Sequence, residues 1–315
     1  MKDLYNNLAF VFPGQGSQAV GMLSELAANH SEVEEVFKVA SDVLGCDLWE
    51  LASKGPAEKQ NLTENTQPLM LAAGVAVWEV WQKSTSVRPG WMAGHSLGEY
   101  TALVCAGAIA LEDAIGLVAE RARLMQEAVP LGAGAMAAIL GLKDSQVVQI
   151  CAEVAKNEVV APVNFNAPGQ VVIAGHAEAV NRAIEAAKDA GAKRAVVLPV
   201  SVPSHCILME SAAQELHRVV KKIAINTPQV TVIHNVDVAA HSSEEVIRSV
   251  LKEQLYKPVR WVETIKFMYE QGVTSYVECG PGKVLAGLNK RIVRDAAVFP
   301  VYENESLNKA LEHVE

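Results

Sequence analysis

Hydrophobic and polar positions along the chain follow two rhythms. Leu8 to Phe12 is an unbroken apolar run closed by Pro13–Gly14, the pattern of a buried strand meeting a turn. From Ser17 to about Leu44 the apolar residues recur mostly at helical spacing, and Ser31 with Glu34 fits a capping box. Pro68 to Trp81 is apolar nearly all round and predicts a buried helix. Trp91–Met92–Ala93 predicts a short strand that runs straight into Gly94-His95-Ser96-Leu97-Gly98. Helices are expected over Glu99–Ala106 and Leu111–Val129.

At Pro130-Leu131-Gly132-Ala133-Gly134 the pattern changes to a compact alternation. Ala135–Gly141 predicts a strand, Lys143–Asn157 a helix, and Val159–Phe165 with Gln170–Ala174 a hairpin around Asn166-Ala167-Pro168-Gly169. Ala177–Ala190 then predicts a helix and Arg194–Leu198 a strand. This β-α-β-β-α-β order is that of a ferredoxin-like unit, expected here as an inserted subdomain over residues 131–199. The main body is expected from residues 1–130 and 200–315. Beyond the insert, helices are expected over Ser211–Lys222, Ser242–Leu255 and Trp261–Gln271, with strands over Val230–Asn235 and Ser275–Glu278. Strands alternating with helices predict an α/β fold with a mainly parallel sheet.

Composition narrows the function. Of 315 residues half are hydrophobic and a fifth charged, which excludes a disordered, collagenous or small disulfide-stapled protein. The net charge of −9 denies the chain the global field of a nucleic-acid or anionic-membrane binder, so neither partner is expected. Cys46, Cys105, Cys151, Cys206 and Cys279 are scattered, with no CxxC pair, so neither a zinc site nor a disulfide framework is expected. The opening MKDLYNNLAFVFPGQG has no long apolar stretch and no small-residue cleavage site, and the apolar run around Thr101–Leu111 is too short to span a bilayer. A reducing, cytoplasmic compartment is expected.

The strongest chemical signal is Gly94-His95-Ser96-Leu97-Gly98, a GxSxG between a strand and a helix. A nucleophile elbow needs small residues two before and two after the serine, because the backbone turns sharply there. The turn presents the hydroxyl at a helix N-terminus, where the next N–H can receive an oxyanion. A serine also needs a base. Of eight histidines, His30, His217, His241 and His313 lie in polar stretches, and His95 is expected to point away from the elbow. His205 follows Val200-Ser201-Val202-Pro203-Ser204 just beyond a predicted strand end, where α/β folds carry function. No acid lies near it in sequence, and Asp237 and Glu278 stand at strand ends as candidate triad members. Gly14-x-Gly16-x-x-Ala19 fits a dinucleotide fingerprint, but the second strand that motif requires is replaced by a helical pattern; the other reading is a loop whose N–H groups face the active site. Arg121 and Arg123 lie on a helix flanked by Leu117, Val118, Ala122 and Leu124, so one of them is expected to face inward toward an anion.

Taken with Phe12-Pro13-Gly14-Gln15-Gly16-Ser17-Gln18, Gly94 to Tyr100, Arg121, Val163-Asn164-Phe165-Asn166, Val202-Pro203-Ser204-His205, Gln254 to Val259 and Gly280 to Leu285, the chain resembles the bacterial malonyl-CoA:acyl-carrier-protein transacylases. The resemblance runs nearly the full length, with the motifs in family order. It implies an α/β-hydrolase-like core around the ferredoxin-like insert and a ping-pong acyl transfer in fatty acid synthesis. It makes Ser96 the nucleophile, His205 its base, and the N–H groups of Gln15 and Leu97 the oxyanion hole. It also makes Arg121 the partner of the malonyl carboxylate and the Gln254 carbonyl the group that orients His205, leaving Asp237 and Glu278 structural. No bound cofactor or metal is implied; the substrates are malonyl-CoA and the phosphopantetheine arm of acyl carrier protein, met by a monomeric enzyme. The carrier is expected on a local basic patch, with candidate contacts at Lys221–Lys222 and at Lys283, Lys290, Arg291 and Arg294. Rival readings are a serine hydrolase on the same elbow, a non-catalytic docking module, and a stand-alone acyltransferase of polyketide synthesis.

Overall fold

A computed structural model describes residues 4–200 and 202–314; Ser201, in the segment before His205, lies outside the described residues. The strands are β1 (Leu4–Phe12), β2 (Arg88–Gly94), β3 (Gly134–Leu140), β4 (Val160–Ala167), β5 (Gln170–His176), β6 (Arg194–Val197), β7 (Thr231–Ile233), β8 (Ser275–Cys279) and β9 (Ala297–Val301). They form a five-stranded sheet in the order β7-β2-β1-β8-β9 and a four-stranded sheet in the order β4-β5-β3-β6.

The larger sheet is parallel throughout. Its central strand β1 ends in the run Leu8–Phe12, buried on both faces, as a parallel strand covered by helices on either side must be. Period-two alternation divides it between two cores. Leu8, Phe10 and Phe12 face one, where the Phe10 ring meets Trp78 and Trp81 edge-on at 5.4 and 4.9 Å. Ala9 and Val11 face the other, with Trp261, Ile265 and Tyr276. The helix Thr63–Ser84 carries Trp78 and Trp81 and is buried nearly all round, as its unbroken apolar pattern requires.

The smaller sheet is antiparallel, and its order is that of a ferredoxin-like unit. The helices Asp144–Val154 and Ala177–Asp189 cover one face and build a separate core with Ile139, Val171 and Ile173. Met136, Val163 and Val172 on the other face pack with Cys206 of the main body, so this sheet leans on the segment that carries His205.

Three expectations need correction. Residues between Pro13 and Leu23 form turns rather than helix, and helix resumes only at Ser24–Ala27 and Glu32–Leu44. Ser31 caps nothing: its hydroxyl donates to the Glu35 carboxylate one turn on. The strand expected over Val230–Asn235 stops at Ile233, because His234 and Asn235 are drawn into contacts with the nucleophile turn.

Candidate active site

β2 ends at Gly94 and the next helix begins at Gly98, so the chain reverses over three residues. Both glycines are obligatory. A Cβ on Gly94 would lie 1.8 Å from the Gly98 carbonyl carbon, and one on Gly98 would lie 2.0 Å from the Phe12 carbonyl oxygen. The turn puts Ser96 at φ 54°, a left-handed conformation that a serine adopts only when its surroundings hold it there. Asn235 does the holding: its Oδ1 accepts from the Ser96 N–H at 2.8 Å and its Nδ2 donates to the Gly94 carbonyl at 2.7 Å.

Ser96 Oγ lies 2.7 Å from His205 Nε2. The other ring nitrogen, Nδ1, lies 2.7 Å from the backbone carbonyl of Gln254. A carbonyl only accepts, so Nδ1 carries the proton and Nε2 is left to take the serine's. His205 is itself held at φ 65°, with its N–H donating to the Leu255 carbonyl at 2.9 Å. Burial, and after it the Arg121 cation, push its imidazole down to about 3, so the ring is neutral at working pH.

A cavity of about 110 Å³ opens over this pair, between the two sheets. Gln15, Thr63 and Ser204 line it from the main body, and Met136, Asn164 and Leu198 from the small sheet and its edge. The cavity is several times the roughly 10–15 Å³ that one water needs, the scale of a short acyl group. A wider groove of about 580 Å³ beside Trp49 holds no serine–histidine pair. Behind the cavity, Arg121 is 2% exposed. Its Nη1 donates to Gln67 Oε1 at 2.7 Å and its Nη2 to Gln254 Oε1 at 3.1 Å, over the Tyr100 ring. Among the described residues no acid pairs with it directly, and its Nε has no partner.

Comparison with known proteins identifies the family. The family model described as acyl transferase domain matches residues 9–309. The chain belongs to that acyl transferase family. It is 55% identical over 304 residues to the malonyl CoA-acyl carrier protein transacylase of Escherichia coli (strain K12), covering 96% of this chain and 98% of that one. Among solved structures, an acyl carrier protein S-malonyltransferase from Vibrio cholerae is 54% identical with a TM-score of 0.94, covering 98% of this chain and all of that one. A malonyl-transacylase solved in complex with its type II PKS acyl-carrier protein is 55% identical with a TM-score of 0.96, covering 98% and 99%.

Ser96, His205 and the Gln254 carbonyl of this acyl transferase are brought together in the expected order, and Gln15 joins them at the cavity wall. Leu97 is buried beside the Gly14 loop, and neither its N–H nor that of Gln15 has an acceptor among the described residues. Arg121 faces inward while Arg123 faces out to Glu120 and Glu127, two residues being more than half a helical turn. Asp237 instead pairs with His241, and Glu278 accepts the Leu285 and Ala286 N–H groups at a helix start; neither reaches His205. His95 departs from expectation: its ring lines the cavity, with Nε2 2.7 Å from Asn166 Oδ1 and its edge against Trp261. Sequence reasoning gave no role to Glu99, His234, Asn235 or Gln67. The only signal was polar residues in otherwise apolar stretches, which does not say what they touch. Among the described residues no cluster of His, Cys, Asp and Glu is fit to hold a metal ion, and no helix is long and apolar enough to cross a membrane.

Proposed function

We propose that this acyl transferase moves a malonyl group from malonyl-CoA to the phosphopantetheine thiol of an acyl carrier protein through a malonyl-Ser96 intermediate. The observation that carries the reading is a serine–histidine pair at 2.7 Å with a buried, acid-free arginine beside it. Ser96 Oγ attacks the thioester carbonyl as His205 Nε2 takes its proton. The carbonyl oxygen becomes an oxyanion and accepts the N–H groups of Gln15 and Leu97. The C–S bond breaks, and His205 returns the proton to the departing coenzyme A thiolate. The carrier's thiol then attacks the acyl-serine while His205 takes the thiol proton. The new thioester forms, and Ser96 recovers its proton from His205. Arg121 pairs with the free carboxylate, which a planar guanidinium binds as a fork.

Relatives at 54–55% identity named for malonyl transfer support this reading. The catalytic body is read as residues 1–130 with 200–315, and the insert 131–199 as the unit that walls the cavity. One chain supplies nucleophile, base and arginine, so the enzyme acts as a monomer, in the cytoplasm. Supply of fatty acid synthesis is the first reading. The relative solved with a type II PKS carrier protein favours polyketide supply as the second.

Intact-mass spectrometry tests the chemistry. Malonyl-CoA should leave a malonyl adduct on the wild type and none on Ser96→Ala, and holo carrier protein should remove it. An adduct retained by Ser96→Ala refutes the nucleophile. Discharge to water as fast as to the carrier's thiol makes the enzyme a hydrolase.

A further inference from the structure

Glu99 stands three residues beyond the nucleophile, in the first turn of its helix, and is completely buried. Among the described residues no lysine or arginine pairs with it. Its carboxylate meets other groups instead. Oε2 accepts from the Asn235 N–H at 3.1 Å and from Gln254 Nε2 at 3.0 Å, and Oε1 lies 2.7 Å from His234 Nδ1. Asn235 is the residue whose side chain clamps the Ser96 turn. Gln254 is the residue whose carbonyl orients His205.

The Gln254 side chain is fully committed. Nε2 donates to the Ser96 carbonyl at 2.8 Å as well as to Glu99, and Oε1 accepts from Arg121 Nη2. An amide can be turned over with little change of shape, exchanging its donor for its acceptor. Turned over here, it would point N–H groups at the Arg121 cation and an oxygen at both the Ser96 carbonyl and the Glu99 carboxylate. Each of those contacts becomes repulsive. Arg121 from one side and Glu99 from the other therefore specify a single orientation. Without Glu99, the Ser96 carbonyl is the one acceptor left on the donor side among the described residues.

We propose that Glu99 is a positioning residue for acyl transfer: as the acceptor for Gln254 Nε2 and the Asn235 N–H, it holds the Ser96 turn, the Gln254 segment behind His205 and the Arg121 guanidinium in one frame. It touches neither substrate nor the reacting atoms and acts through its two partners. A buried acid kept only for stability would lower the melting temperature of its variants without any dependence on Gln254.

The test compares Glu99→Asp, which withdraws the acceptor by one methylene, with Glu99→Gln, which keeps an oxygen in place, each alone and combined with Gln254→Ala. Glu99→Asp should lower kcat for malonyl transfer about tenfold or more with KM for malonyl-CoA nearly unchanged, because small misplacements of reacting groups are costly. Glu99→Gln should lose about threefold at most. In the Gln254→Ala background, where only the Asn235 N–H still uses the carboxylate, Glu99→Asp should cost clearly less than it does alone, the non-additivity of groups that act as a unit. Equal losses in Asp and Gln, or a loss of the same size with and without the Gln254 side chain, would overturn the proposal. These kinetics rest on the transfer reading above, and a wild type that transfers nothing counts against that reading alone. A second measurement needs no turnover and decides even where Glu99→Asp does not fold. In wild-type protein labelled with [15N]glutamine, the Gln254 side chain should show two distinct amide protons protected from exchange, and Glu99→Gln should shift the one facing residue 99. Rapidly exchanging, averaged protons overturn the clamp whatever the kinetics.

Discussion

An ordinary serine–histidine enzyme loses activity as its histidine titrates, and here that loss should be missing. Burial, with the Arg121 cation next, pushes His205 down from 6.5 to about 3. At pH 5, an imidazole with the ordinary value of 6.5 is about 3% neutral, a rate loss of about thirty-fold, whereas one at about 3 remains about 99% neutral. kcat/KM for malonyl-CoA, measured from pH 8 down to pH 5, should therefore show no acid limb near 6.5. The same shift acts on folding with a definite sign. Below pH 6.5 the unfolded chain binds a proton that folded His205 refuses, so stability is complete above 6.5 and falls as pH drops toward about 3. Far-UV circular dichroism at each pH separates that loss from loss of catalysis. A bell with an acid limb at 6–7, at a pH where the fold is intact, refutes the argument. It would mean that solvent reaches the imidazole and that burial does not depress its basicity in the working enzyme.

Two further outcomes follow from the same contacts. Arg121→Ala should cut malonyl transfer by about 10²–10⁴-fold, since two hydrogen bonds to a charged group contribute about 1.5–3 kcal/mol each, and should narrow the preference for malonyl-CoA over acetyl-CoA. Arg121→Lys should rescue only part of it, and Arg123→Ala, on the outward face, should do nothing; loss of selectivity in Arg123→Ala with Arg121→Ala unaffected refutes the assignment. Asp237→Asn and Glu278→Gln should keep most of kcat, because the first carboxylate serves His241 and the second caps a helix. A fall near the ~10⁴-fold seen when a triad acid is neutralised would show a carboxylate behind His205 after all.

The site was legible where local backbone chemistry forces residue identity. Gly94 and Gly98 announce the elbow because no side chain fits there, and the split order of strands and helices announces the inserted sheet. Contacts set by tertiary folding left no such trace. Glu99 and Gln254 are 155 residues apart in sequence, and nothing in either stretch says that one amide serves both the nucleophile's turn and the arginine. His95 misled because an elbow was assumed to throw its neighbour's ring away from the pocket; Asn166, on the small sheet, draws that ring back to the wall. By pattern alone His234 and Asn235 continue a strand, whereas their bonds to Glu99 and Gly94 take them out of the ladder.

The weak base also explains why the acyl group goes to a thiol and not to water. A neutral carbonyl behind His205 fixes the ring and raises its basicity a little through the hydrogen bond, but without a negative charge it falls short of the burial and the Arg121 cation that lower it. A proton must pass from the acceptor to Nε2 in either reaction. From a thiol near 8.5, the uphill gap to a base at about 3 is about 5–6 pKa units, whereas from water at 15.7 it is about 13. A base of ordinary basicity narrows both gaps by the same amount, and water, the worse proton donor, is expected to gain more from it. Replacing the cation with a neutral side chain of similar length, Arg121→Met, removes the second-largest cause of the low value and should raise the basicity of His205. With Ser96 loaded from acetyl-CoA, which has no carboxylate to lose, this variant should discharge to water faster than the wild type relative to discharge to pantetheine. The partition is read as free acetate against acetyl-pantetheine at fixed thiol concentration. A ratio unchanged or shifted toward the thiol would show that water is kept out by the walls of the cavity and not by the strength of the base.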